Sequence, residues 1–133
     1  MTGVVGRFAP SPTGPLHFGS VVTAVASYVD VHAQGGQWLL RIDDVDLPRI
    51  ERGATAGILT TLEALSLPWD GQVIYQSARG AAYAEALAKL EARQLIYRCQ
   101  CSRKTIGPRA YPGTCRAKRL RGDRPAAEMF LVG

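Results

Sequence analysis

No apolar run in this sequence approaches the roughly 20 residues that a membrane-spanning helix needs, and Met1-Thr2-Gly3 lacks the basic start of a signal peptide. A cytoplasmic chain with no membrane partner is therefore expected. Cysteine is scarce: there are three, all between positions 99 and 115. An odd number of thiols in a chain without an export signal argues against a disulfide framework. Two common phosphate-binding fingerprints, G-x-x-x-x-G-K-[ST] and G-x-G-x-x-G, are missing, so a P-loop or a dinucleotide-type turn is not the reading. There is no internal repeat and no low-complexity tract. What is present, 47% apolar and 20% charged residues over 133 positions, suits one globular core rather than a disordered tail.

Charge is unevenly placed. Residues 1–95 carry a formal charge of −2, and residues 96–133 carry +7. A local basic excess of that size commonly meets phosphate, and a merely solvated basic face is the plainer alternative.

Val4 to Phe8 reads as a short buried strand, ended by Pro10 and Pro12, which cannot donate to a sheet ladder. From His17 to about Ala33 the spacing of Val21, Val25, Tyr28 and His32 predicts one helical face, with Gly35-Gly36 as the stop. Trp38 to Ile42 is a second strand, which makes a βαβ unit of a parallel sheet with a right-handed crossover. Ile58, Leu62 and Leu65 mark a second helix, Val73 to Tyr75 a short strand, and residues 80–94 a third helix burying Tyr83, Leu87 and Leu90. One more strand is expected over Leu95 to Arg98. Residues 99–124 have no periodicity, and Ala127 to Val132 reads as a strand beginning with nothing to pair with. The expected organisation is an incomplete parallel-sheet α/β domain over residues 1–96, an insertion over 97–124, and the start of a further strand over 125–133. On this reading the sequence is a fragment.

A strand that breaks into a Pro/Gly turn and feeds a helix N-terminus is an anion site in outline, because the helix-end amides point outward and the dipole favours negative charge. The stretch "GRFAPSPTGPLHFGS", residues 6–20, has that form. Gly14 and Gly19 suit close backbone approach, and His17 at the first turn can donate to a phosphate oxygen. A connection without any ligand is the alternative. Cys99, Cys101 and Cys115 sit in a loop with almost no apolar residues to order it. Three thiolates there are a ligand set for Zn²⁺, with the fourth position open to water or Asp123 among others. The alternative is three ordinary thiols, one or two of them buried.

"RFAPSPTGPLHFGS" resembles the opening of the class I glutamyl-tRNA synthetase family, with "HFGS" in place of the HIGH signature. "LLRIDDVD" resembles that family's LRIEDTD-like strand end, and "WDGQVIYQSAR" and "YRCQCS" resemble its next two stretches. The resemblance covers essentially the whole chain and implies a Rossmann-like nucleotide-binding domain with a zinc-binding insertion. Within the family it is strongest to the shorter, glutamyl-Q branch, which lacks an anticodon-binding domain and attaches glutamate to the queuosine base of tRNA(Asp). It implies glutamate and ATP as substrates, ATP accompanied by Mg²⁺, a tRNA partner and a monomer. It also supplies Tyr111 as fourth ligand of a structural Zn²⁺ with Cys99, Cys101 and Cys115. Arg98, Arg103, Lys104, Arg109, Arg116, Lys118, Arg119 and Arg121 surround that loop and would present positive charge to a tRNA acceptor stem or ATP.

By the same resemblance Arg7 pairs with a glutamate carboxylate, Phe8, Ala9, Pro10 and Ser11 complete that wall, and Asp43 holds the substrate ammonium. Pro10, Ser11, Thr13, Gly14, His17, Gly19 and Ser20 hold ATP, with His17, Gly19 and Ser20 nearest the reacting phosphates. Asp43 departs from the Glu usual in glutamyl members and is one methylene shorter. A glutaminyl-tRNA synthetase has Asp here, but it would read P-E-P-N where this chain has Pro10-Ser11-Pro12-Thr13. Asp44 and Asp46 read as strand-end and turn residues, one of them paired with Arg49. The family's KMSKS-type lysine loop and the downstream tyrosine and arginine of the glutamate pocket do not occur in these residues, so weak binding and poor activation are expected of the chain alone. The other readings are an ordinary glutamyl-tRNA synthetase and a non-catalytic, zinc-bearing tRNA-binding fragment.

Overall fold

The computed structural model describes residues 3–108, 110–118, 120 and 126–130. Arg109, Arg119, Arg121, Asp123 and the end of the expected last strand lie outside them. The chain divides into two compact units, Met1–Gly80 and Ala81–Gly133.

In the first unit, β1 (Val5–Phe8), α1 (Phe18–Ala33), β2 (Gln37–Ile42), α2 (Ala54–Ala64) and β3 (Ile74–Tyr75) follow in order, with 3-10 turns at Leu47–Arg49 and Gln76–Arg79. The sheet runs β1-β2-β3, both pairings parallel, with Arg7 opposite Leu39 and Ile42 opposite Tyr75. The parallel-sheet α/β expectation holds. Alternation along β2 is clean: Trp38, Leu40 and Ile42 are fully buried, while Gln37, Leu39 and Arg41 are not. The core joins that face to Phe8, to Ala24 and Val31 of α1, and to Ile58 and Leu62 of α2. Each large apolar side chain among these contributes about 1.5–3 kcal/mol by leaving water. Trp38 donates its indole N–H to Ser27 Oγ at 2.9 Å, so its one polar atom is satisfied.

Two helix faces differ from the sequence expectation. Helix α1 buries Ala24 and Val31, with Ser27 and Tyr28 half-buried, whereas Val25 is exposed. The cause lies at Gly6 in β1 and at Gly36 just before β2, where a Cβ on Gly36 would also run into the Val4 carbonyl. A Cβ on Gly6 would stand 2.2 Å from Val31 Cγ2, and one on Gly36 would stand 3.0 Å from Val31 Cγ1. The two glycines thus receive the two methyls of Val31 and fix which side of the helix docks. In α2, Ile58 and Leu62 are buried as expected, but Leu65 is the C-cap and is exposed; Ala54 and the following Leu67 are buried instead.

The second unit holds α3 (Gly80–Ala92, its first residue closing the first unit), β4 (Ile96–Cys99), the one-turn α4 (Arg103–Ile106) and β5 (Ala127–Phe130). Here the expectation of an unpaired last strand is overturned: β5 pairs antiparallel with β4, Cys99 opposite Ala127 and Ile96 opposite Phe130. Helix α3 buries no residue; Tyr83 and Leu87 are exposed and Leu90 is half-buried. Its apolar stripe is legible in the sequence, but none of its residues is fully buried. No helix among them is long and apolar enough to cross a membrane.

Candidate functional site

The residues singled out in the first unit gather where the parallel strands end. After Phe8 the chain leaves the sheet through Pro10 and Pro12, both buried. A proline cannot donate to its neighbours but its carbonyl can accept, and both carbonyls do. Asp43 N donates to Pro10 O, and Glu51 N to Pro12 O, each at 2.9 Å. The turn is thereby tied to the end of β2 and to the segment that leads into α2. Phe8 is committed to the core by its side chain and offers the site only backbone. Ala9 is half-buried, and Ser11 and Thr13 are exposed on the turn.

His17 is the N-cap of α1, with extended backbone. Its Nδ1 accepts from Ser20 N at 3.1 Å, so the ring proton is on Nε2, which donates to Ser20 Oγ at 3.1 Å. The lack of a side chain at Gly19 makes room for this: a Cβ there would lie 3.2 Å from both Cε1 and Nδ1 of His17. His17, Gly19 and Ser20 therefore form one compact group over the helix end. Beside the turn, Gly14 and Pro15 face Glu51, Arg52, Gly53 and Ala54 across a cavity of about 290 Å³. A larger cavity, about 370 Å³, lies at the opposite ends of β1 and β2, where its lining (Gly3, Val4, Val5, Gly35, Gly36 and Gln37) carries no titratable side chain.

Arg7 is exposed on β1 and makes no ion pair among the described residues. Its register partner is Leu39, so Arg7, Leu39, Arg41 and Asp43 belong to the sheet face opposite the core. Arg7 and Asp43 thus share a face. Asp43 is gripped by Arg41, whose Nε and Nη2 donate to its two oxygens at 2.5 and 2.9 Å. Beyond the two-residue spacing along a strand, nothing in the sequence points to that pairing. Asp46 accepts from Arg49 at 2.6 Å, as foreseen. Asp44 accepts from Ser77 N at 2.8 Å and Ser77 Oγ at 2.6 Å, a partnership 33 residues apart that no local pattern announces. Slight desolvation works against it, but the Ser77 hydroxyl and amide hold the Asp44 carboxyl below the ordinary aspartate value. Asp70, also unforeseen, accepts from Trp38 N at 2.7 Å and donates its own N–H to Trp38 O at 2.8 Å.

In the second unit the three thiols converge. The sulfurs of Cys99, Cys101 and Cys115 all lie within 4.8 Å of one another, with Cys101 and Cys115 3.5 Å apart. Four ligands at a Zn–S distance of about 2.3 Å stand about 3.8 Å from each other, so the cluster has the span of a tetrahedral site. The Tyr111 hydroxyl oxygen is 3.2 Å from Cys99 Sγ and accepts from Cys115 N at 2.9 Å, which puts an oxygen at the cluster's edge. Cys99 and Cys115 are buried. The Gln100 amide and then the Tyr111 hydroxyl pull the Cys115 thiol down to about 7, toward the thiolate that a metal needs. The neighbouring Cys115 sulfur raises Cys101, and the Cys99 sulfur raises the Tyr111 hydroxyl far above the phenol range. Without a cation the tyrosine is a phenol; a bound dication would reverse that preference. The donor set therefore fits a zinc ion. Arg98, Arg103, Lys104, Arg116 and Lys118 lie in the same 21-residue stretch.

Residues 3–126 match the model of the family "tRNA synthetases class I (E and Q), catalytic domain". The chain is similar to the protein named glutamyl-Q tRNA(Asp) synthetase from Dechloromonas aromatica, 58% identical over 121 residues, which covers 84% of this chain and 40% of that protein. The protein of the same name from Idiomarina loihiensis is 53% identical over 128 residues, covering 95% and 45%. Among solved structures, a glutamate tRNA ligase from Elizabethkingia meningosepticum in complex with its amino acid is 31% identical, with a TM-score of 0.69 over 77% of this chain and 22% of that one. The glutamate-tRNA synthetase of Elizabethkingia anophelis gives 31%, a TM-score of 0.70, and 78% and 23%. The chain spans about 40% of the length of the curated relatives it matches.

Proposed function

The chain belongs to the class I tRNA synthetases of the E and Q type, and from that premise we propose that it forms part of a ligase that activates glutamate with ATP and passes it to the queuosine base of tRNA(Asp). The α-carboxylate of glutamate attacks the α-phosphorus of ATP, giving glutamyl-adenylate and pyrophosphate, and a hydroxyl of the modified base then takes the acyl group. Little covalent work falls on the protein, so position and charge carry the rate. Arg7 grips the side-chain carboxylate with its planar fork and Asp43 takes the ammonium, the two standing on one face of the sheet. Backbone and hydroxyl groups of Phe8, Ala9, Pro10 and Ser11 wall that pocket. The turn of Pro10, Ser11, Thr13 and Gly14 and the helix end with His17, Gly19 and Ser20 receive ATP and its Mg²⁺. Cys99, Cys101, Cys115 and Tyr111 would hold a structural Zn²⁺ that orders the basic segment for a tRNA phosphate backbone.

The observation that supports this most is the arrangement at the strand ends: a Pro-tied turn running into a His-capped helix beside an Arg and an Asp on a shared face. Glutamate and the queuosine-bearing acceptor draw support from the names of relatives at 52–58% identity. The decisive experiment is calorimetric binding of a non-hydrolysable glutamyl-adenylate mimic. Arg7→Ala should weaken it by about 1.5–3 kcal/mol, the worth of a hydrogen-bonded charge pair. A mimic seated far from residues 7–20, or one that binds the Arg7→Ala variant as tightly as the wild type, refutes the reading. For the acceptor, labelled glutamate should pass to tRNA(Asp) containing queuosine and not to the same tRNA lacking it; equal transfer to both would point to the terminal adenosine instead.

A further inference from the structure

We propose that Asp44 is a positioning residue for the amino-acid end of the site, acting through Ser77 to fix the backbone from which Asp43 projects. This rests on the reading above, in which Asp43 receives the substrate ammonium.

The β2–β3 ladder is short, two residue pairs ending at Ile42 opposite Tyr75. Two residues beyond each of those, Asp44 and Ser77 meet. The Asp44 side chain takes over where the backbone pairing stops, one oxygen accepting the Ser77 amide and the other its hydroxyl. Ser77 lies in the 3-10 turn Gln76–Arg79, whose own N-cap residue, Tyr75, makes no side-chain cap bond. Asp44 therefore caps that turn from a distant strand, satisfying an amide that its own neighbours leave open. On the other side, Asp43 N donates to Pro10 O. The Asp43–Asp44 segment is thus clamped twice, to the extension of β1 through Pro10 and to the extension of β3 through Ser77.

The two adjacent aspartates divide the work. The Asp43 carboxylate is already shared with Arg41, so what it offers an ammonium depends on a narrow range of directions. Asp43 is also short, and a backbone displacement of about 1 Å is enough to lose such a contact. Both Asp44 oxygens have a Ser77 donor, so its part is to hold the strand end rather than to meet substrate. A purely structural role would loosen the whole unit and weaken every ligand equally; a positioning role weakens the amino-acid part alone.

The test compares two probes, ATP and the glutamyl-adenylate mimic, on the full chain by calorimetry. The variants are Ser77→Ala, which removes the hydroxyl and keeps the amide bond, Ser77→Thr, which restores a hydroxyl, and Asp44→Ala, which removes both. Trp38 and Trp69 fluorescence in urea reports whether each variant keeps the first unit folded. The mimic should bind about tenfold less tightly to Ser77→Ala, the loss of one charge-assisted hydrogen bond. It should weaken further with Asp44→Ala and recover with Ser77→Thr, while ATP binding changes less than about twofold. Equal losses for both probes, no loss for either, or no recovery with threonine overturns the assignment of Asp44. Wild-type binding of the mimic that Arg7→Ala leaves unchanged overturns the reading of the site itself, and this inference with it, whereas binding that Arg7→Ala weakens and Ser77→Ala does not overturns this inference alone.

Discussion

Gly6→Ala is the most informative single substitution for the seating of α1, the helix whose N-terminus forms half of the candidate site. The added methyl would stand 2.2 Å from Val31 Cγ2, where ordinary contact begins at 3.4 Å, so something must move by about 1 Å. Val31 cannot simply rotate away, because its other methyl occupies the Gly36 notch and a β-branched residue in a helix has one strongly preferred rotamer. Overpacking of this kind costs about 1–3 kcal/mol. Replacing glycine in a strand returns about 0.5–1 kcal/mol through the backbone, so a net loss of up to about 2.5 kcal/mol is expected. Val31→Ala alone should cost about 2 kcal/mol, two buried methyls plus the space they leave. In the double variant the methyl added at position 6 enters that space, so its stability should match or exceed that of Val31→Ala alone, a coupling of about 1–2 kcal/mol in its favour. Urea unfolding followed by tryptophan fluorescence measures all four species, and both tryptophans, Trp38 and Trp69, lie in the first unit. Additive losses would refute the notch as the feature that orients the helix.

Metal analysis of the purified chain should find one zinc, and Cys99→Ser should abolish it together with the protection of residues 96–118 from limited proteolysis; a folded, metal-free wild type would remove the zinc assignment. His17→Ala removes the cap on Ser20 and should cost about 1 kcal/mol in urea unfolding. The Asp44 carboxyl is held below its ordinary 3.8, so its bond to Ser77 adds stability that is complete above that value and disappears as the pH falls through the lowered one. The stability difference between wild type and Asp44→Ala should accordingly be constant near pH 6 and shrink below about pH 4 in acid unfolding; a difference that grows in acid would reverse that sign.

What the sequence made legible were the features with fixed local consequences. Two prolines and a histidine before a helix have few conformations open to them, and the turn over residues 9–17 is where they require it. Three cysteines fall within 17 residues, and the pattern that points to a shared ligand set does not depend on the elements around them. The docking face of α1 was not legible. Valines at positions 21, 22, 25, 29 and 31 surround the helix, so periodicity alone cannot choose among its sides. The choice is made by Gly6 and Gly36, neither of them on the helix itself. Alternation along β2 does put Arg41 and Asp43 on one face, and that much was available from period two. The Asp44–Ser77 and Asp70–Trp38 bonds span 33 and 32 residues and depend on how the chain returns to the sheet around β3, which no local pattern announces.

The His17 cap sets a limit on what the helix end can do by itself in the proposed ATP mode. The Ser20 amide, which an incoming phosphate oxygen needs, is already held by His17 Nδ1 and the His17 carbonyl. An anion must therefore replace a neutral acceptor with a charged one. The gain is the difference between a hydrogen bond to an ion, about 1.5–3 kcal/mol, and one between neutral groups, about 0.5–1.5 kcal/mol. One amide exchanged in this way yields on the order of a factor of ten in affinity. In that proposed mode the imidazole's Nε2–H, released from Ser20 Oγ, is a further donor for the anion. In the proposed ATP mode cap and ligand share one group in alternation, which a side chain able both to accept and to donate allows and an ionised aspartate, an acceptor only, does not.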